Sequence, residues 1–225
     1  MSDLDAAVTV YEPSGRYRNV AKRSGVEALT PSRALVAELV RRYGVMGFDC
    51  SLLEIQKLVY FAERACEGAG SLKPFGFGFT AGRYGPYAQP LGHLLNRMDG
   101  SYLHCEKRIP DAGPFEPIWF DAARRPRLDA YLASAGKACL PVLEAAEAII
   151  DGFETPLGLE LLATVDWVVT AEGTEPTLSA VRAAIAAWPE SEGAARRKAK
   201  LFDDRLIGLA LQRLSAVGLV ASPPA

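Results

Sequence analysis

One stretch constrains this chain more than any other: FETPLGLELLATVDWV, residues 153–168. Thr155 is a suitable N-cap, and Pro156 follows at the first helical position, where its missing N–H costs nothing and its fixed φ suits a helix. Leu157, Leu161, Val165 and Val168 then recur at i, i+4, i+8 and i+11, an apolar stripe that has to be buried against other helices. Asp166 falls opposite that stripe and is expected to point outward, with Glu160 and Trp167 on the flank. A lone glutamate cannot be buried without a partner.

The same reasoning places other elements. Thr30-Pro31 opens a helix ending at Gly44, and a second runs from Asp49 or Ser51 to Gly68 with Leu52, Ile55, Leu58, Val59 and Ala62 on its buried side. Phe75-Gly76-Phe77-Gly78-Phe79 reads as a strand with three rings on one face. Gly85-Pro86 is expected to launch a helix with Tyr87, Leu91, Leu94, Leu95 and Met98 inward and Gly100 stopping it. Short strands are expected at 102–106 and 118–120, Trp119 lying in the second. Helices follow at about 127–134, 138–151, 156–169, 177–187 and 201–217, with Gly218 closing the last. The expected fold is mainly α, a multi-helix domain with a small β element in its N-terminal half.

Charge is unevenly spread. Between Glu144 and Glu192 ten acidic residues face one base, Arg182, whereas the whole chain carries only −2. Arg196, Arg197, Lys198 and Lys200 follow directly, so the acidic run either meets a partner or is partly neutralised inside the fold. Chemistry-bearing patterns are scarce. Cys50, Cys66, Cys105 and Cys139 are scattered without a C-x-x-C pair and read as buried free thiols. His93 and His104 stand in no nucleophile–base or metal-ligand spacing, and Gly76, Gly78, Gly82 and Gly85 lack the Lys-Ser/Thr of a phosphate loop. Neither catalysis, cofactor nor metal is therefore expected. No apolar run approaches the ~18 residues of a membrane span, and the acidic N-terminus lacks a signal-type hydrophobic region, so a cytoplasmic location is expected.

Three phrases carry a family resemblance: FETPLGLELLATVDWV itself; GRYGPYAQPL at 82–91 with Leu94, Leu95, Asn96 and Met98; and Trp188 with Arg197-Lys198 and Phe202. In this order, over roughly residues 33–220, they resemble the C-terminal toxin-neutralising domain of DarG antitoxins. QKLVYFA at 56–62, with Tyr84-Gly85-Pro86 some twenty residues on, is more weakly similar to Panacea-type antitoxin domains. The resemblance implies an antitoxin domain at 32–220 and a leader at 1–31, whose strand-like Ala7–Pro13 resembles the tail of the family's ADP-ribosylglycohydrolase macrodomain. That macrodomain is expected to be absent, which again implies no enzyme.

In that family the partner is an NAD-dependent toxin that ADP-ribosylates thymidine in single-stranded DNA, and the C-terminal domain binds it directly. The implied partner here is a cognate DarT-like toxin, with no nucleic acid and no membrane. An enzyme that holds single-stranded DNA needs a basic groove, and rigidly spaced carboxylates suit such a groove as DNA mimics. Glu154, Glu160, Asp166 and Trp167 are the candidate contacts, together with Arg83, Tyr84 and Tyr87, since an arginine beside two tyrosines is a typical set of interface anchors. The alternative reading is a winged-helix-like DNA-binding regulator, with Arg196–Lys200 as a basic lead-in and Leu219-Val220 as a terminal strand. A pI near 5.8 speaks against it.

Overall fold

The computed structural model describes residues 27–45, 47, 50–69 and 76–221, with only the backbone of 45 and 67–69. The leader and its strand-like segment at 7–13 lie outside the described residues. The described chain is mainly α with two small antiparallel sheets. Its elements are α1 (Pro31–Val45), β1 (Cys50–Ser51), α2 (Leu52–Ala69), β2 (Thr80–Gly82), β3 (Gly85–Tyr87), α3 (Gln89–Met98), β4 (Leu103–Cys105), β5 (Pro117–Phe120), α4 (Arg125–Ala133), α5 (Leu140–Ile150), α6 (Pro156–Thr170), α7 (Leu178–Ala186), α8 (Glu192–Leu201) and α9 (Asp204–Ala216). No helix among the described residues is long and apolar enough to cross a membrane.

Helix α6 is the axis of the fold. Thr155 caps it as its sequence predicts, its Oγ1 accepting from the Gly158 N–H at 3.0 Å. Gly158 is needed there, because a Cβ would stand 2.6 Å from the Phe153 carbonyl oxygen. Helices α2, α7 and α9 and strand β3 all pack against α6. It is consequently buried nearly all round: Leu159, Leu161, Leu162, Ala163, Val165 and Val168 are inaccessible, at about 1.5–3 kcal/mol for each large side chain. One member of the expected stripe departs from it. Leu157, in the first turn before the neighbouring helices close in, is 42% exposed.

Helix α2 is the second axis, lying against α5, α6 and α1. A capping box starts it: the Ser51 N–H and hydroxyl both donate to Glu54, at 2.7 and 2.6 Å, and Tyr43 adds a third hydrogen bond at 2.7 Å. A three-stranded sheet of order β1-β5-β4 lies against α1, with Cys50 opposite Ile118 and His104 opposite Trp119. Trp119 is thus in the β element, and all four cysteines are buried thiols, none of them in a disulfide.

Four local expectations are corrected. Residues 76–79 form no strand, because Gly76 and Gly78 take positive φ, and Phe75 lies outside the described residues. Gly85-Pro86 belongs to a hairpin strand, and the following helix starts at Gln89-Pro90, so Tyr87 is 41% exposed rather than inward. The helix expected at 201–217 starts at Asp204, and a helix that was not expected precedes it: Ser191 caps α8, Asp203 caps α9, and Phe202 between them is extended. Leu219-Val220 form no strand, and within the basic lead-in Lys198 is buried and Arg197 is paired with Glu160, which weakens the winged-helix reading.

Candidate partner-binding site

The β2–β3 hairpin turns at Arg83-Tyr84, with Gly82 opposite Gly85 and Ala81 opposite Pro86. Pro86 cannot donate to a ladder and is tolerated because this strand is an edge. Gly85 has φ +94°, and a Cβ there would meet Thr164 Oγ1 at 3.1 Å, so the hairpin presses directly on α6. Side chains fasten it from behind. Gln56 accepts from the Ala88 N–H at 2.9 Å and donates to its carbonyl at 3.1 Å, Lys57 Nζ donates to the Pro86 carbonyl at 2.7 Å, and Trp188 Nε1 donates to that of Gly82 at 3.0 Å. The Gln56-Lys57 and Gly85-Pro86 phrases, remote in sequence, are therefore one construction.

Behind the hairpin lies a buried ionic cluster. Glu160 is 1% exposed and receives Arg197 through two hydrogen bonds, at 2.5 and 3.0 Å, and Lys198 at 2.9 Å. Lys198 also donates to Thr164 at 3.2 Å and lies over the rings of Trp188 and Phe202. Burial lowers the Lys198 ammonium below its ordinary range, against the opposing pull of Glu160. Burial, with repulsion from Lys198, brings Lys57 down to about 7. Asp166, on another side of α6, is fully buried and accepts from Tyr60 at 2.5 Å and from Arg64 Nε at 2.8 Å. Burial, then the Asp166 charge, raises the Tyr60 phenol well above its usual range.

These contacts correct the expectation that Asp166 points outward and remove Glu160 and Asp166 as side chains a partner could reach. Both are neutralised internally, Glu160 by the basic segment after the acidic run. The other candidates are accessible but line three different hollows. Arg83, Tyr84 and Tyr87 border a pocket of about 400 Å³ beside the hairpin. Trp167 is half-buried in a cleft with Tyr60 and Phe79 and donates from Nε1 to Glu172 at 3.1 Å. Glu154 rims a third hollow whose apolar floor is Leu39, Leu58 and Ile150.

Beside Glu154 stand further members of the acidic run, which the sequence alone did not single out as contacts. Glu144, Glu147 and Asp151 stand at i, i+3 and i+7 on and just past α5, successive steps of about 4.5 and 6 Å along one face. Arg42 holds Glu147 at 2.8 Å and Arg213 lies 3.2 Å from Asp151. Among the described residues Glu144 and Glu154 have no cationic partner. That spacing was readable in the sequence. The service of Lys57 and Trp188 behind the hairpin was not, since only the fold places them there.

No family model matches the chain. It is similar to proteins named DNA ADP-ribosyl glycohydrolase. Those of Mycobacterium tuberculosis and Mycobacterium bovis are 33% identical over a 228-position alignment that covers 95% of this chain and 60% of theirs. That of Thermus aquaticus is 35% identical over 183 residues, 80% of this chain and 48% of the relative. The chain thus spans 60% or less of the length of these relatives. The relation to DarG-type proteins holds at this level. The expectation that the chain is no enzyme is overturned by the same finding, because the proteins it matches over most of its length are named for a glycohydrolase activity.

Proposed function

We propose that the chain acts in the control of DNA ADP-ribosylation, as its relatives' name indicates, and that its helical body binds and restrains a DNA-directed ADP-ribosyltransferase. The relation to the glycohydrolases over 95% of the chain supports the first part, and the three family phrases support the second. The acidic ridge Glu144, Glu147, Asp151 and Glu154 supports its mechanism, single-stranded DNA mimicry. The carboxylates are held on a rigid helix and the loop after it, and two of them have no cationic partner among the described residues. They can form charge-assisted pairs with the Arg and Lys side chains of a groove built for phosphates. Glu160 and Asp166 serve this surface only by holding α6 in place.

The binding part is tested with a DNA-directed ADP-ribosyltransferase that modifies thymidine in single-stranded DNA. Converting Glu144, Asp151 and Glu154 together to lysine is expected to slow association and release the transferase's activity while leaving the thermal melt in place. Oligothymidylate is expected to compete with the unmodified chain. Simultaneous binding of chain and oligonucleotide without mutual weakening refutes mimicry. The glycohydrolase reaction is tested separately, by mass spectrometry of ADP-ribose released from a modified oligonucleotide. No release at stoichiometric protein refutes it for residues 1–225 and leaves the binding reading standing.

A further inference from the structure

The hairpin pocket is a different surface from the acidic ridge and has the opposite electrostatic character. Its walls are almost wholly apolar: Leu52 and Leu53 from the start of α2, Gly82, Tyr84 and Tyr87 from the hairpin, and Pro114 from the loop before β5. At about 400 Å³ it falls in the size range of specific binding pockets. Two large rings stand exposed here, Tyr87 on the pocket wall at 41% and Phe115, next in sequence to the lining Pro114, at 54%. Tyr84 is fixed between neighbours, edge-on to Phe115 at 5.4 Å and under the Arg197 guanidinium at 4.8 Å. The aromatic wall is thus held in place before anything binds.

Charge in and directly behind the pocket is one-sided. Four cationic side chains, Lys57, Arg83, Arg197 and Lys198, stand against two carboxylates. One of these, Glu160, is sealed beneath the hairpin, and the other, Glu190 at the rim, already accepts a hydrogen bond from Ser191. Arg83 is exposed and, among the described residues, has no carboxylate partner. Lys57 gives its one hydrogen bond to the Pro86 carbonyl and pairs with no carboxylate. An occupant that matches this surface is apolar where it enters and negative where it meets Arg83.

We infer that the hairpin pocket docks a segment of a protein partner in which an aliphatic or aromatic side chain lies beside an aspartate or glutamate. The apolar side chain fills the space between Leu53 and Tyr87, and the carboxylate pairs with Arg83 at the rim. This is independent of the mimicry reading, since it uses another surface and the opposite charge.

The test uses the full chain and fluorescein-labelled twelve-residue peptides carrying a central Leu or Phe flanked either by Glu and Asp or by Lys, followed by anisotropy. The acidic peptides are expected to bind at least about tenfold more tightly than their lysine counterparts. Arg83→Glu is expected to abolish that preference, and Tyr87→Ala to weaken both series. Both residues are exposed, so unchanged thermal melts accompany these losses. Equal affinity for the two series, a preference that survives Arg83→Glu, or no saturable binding by any peptide overturns the proposal. So does binding of labelled oligothymidylate that Arg83→Glu abolishes while the peptides stay silent, which would make the pocket a nucleic-acid site.

Discussion

Glu160→Gln removes the one carboxylate that Arg197 and Lys198 share while keeping the size of the side chain. At contacts of 2.5–3.0 Å each pair is worth about 6 kcal/mol of attraction at an effective dielectric near 20, most of it offset by desolvation of the charges. What the variant leaves behind decides the outcome. Arg197 is part-exposed and can turn to water, but Lys198 is fully buried and cannot, and Lys57 lies in the same cluster. A buried charge stripped of its partner costs roughly 3–5 kcal/mol, which is the expected loss in urea unfolding near pH 6. Both lysines are already depressed in the folded state, so they escape by deprotonating as pH rises, and the loss is expected to shrink clearly by pH 9. Glu175→Gln, on an exposed acid of the same run, is the control at about 0.5 kcal/mol or less. A loss under about 1 kcal/mol at pH 6, or one independent of pH, would refute the argument that Glu160 neutralises a buried cationic cluster.

Asp166→Ala is expected to cost about 3–5 kcal/mol in the same assay, since it strands the Tyr60 hydroxyl and the part-buried Arg64 together; a surface-sized loss would mean α6 is turned from its observed phase. Leu161→Ala, at a site 2% exposed, is expected to cost about 2–5 kcal/mol. Lys57 gives a pH signature of its own. Its pKa falls from 10.5 unfolded to about 7 folded, so between these values the unfolded chain binds the extra proton and stability rises with pH, the full cost of burying the charge being present below 7. Lys57→Met is expected to flatten the stability–pH curve across that window, and an unchanged slope would assign it to other groups.

The sequence by itself determined several of the helix ends, because those signals are local. Thr155-Pro156, Thr30-Pro31 and Gly218 set boundaries through hydrogen bonds and φ preferences confined to one turn, and the structure keeps them. The mainly α class follows from the same signals, and the three family phrases from residue identity alone. Tertiary structure decided what the helices do with their polar residues. A stripe-and-opposite-face reading of α6 assumes a helix with one wet side, but α2, α7, α9 and β3 enclose this one. Asp166 therefore meets Arg64, and Glu160 meets Arg197, partners 102 and 37 residues away in sequence that no local rule connects. The hairpin was hidden for a similar reason. Gly85-Pro86 is as good a helix start as an edge strand until Gln56, Lys57 and Trp188 take up the hairpin's free backbone groups, and only the packed chain brings those three side chains to it.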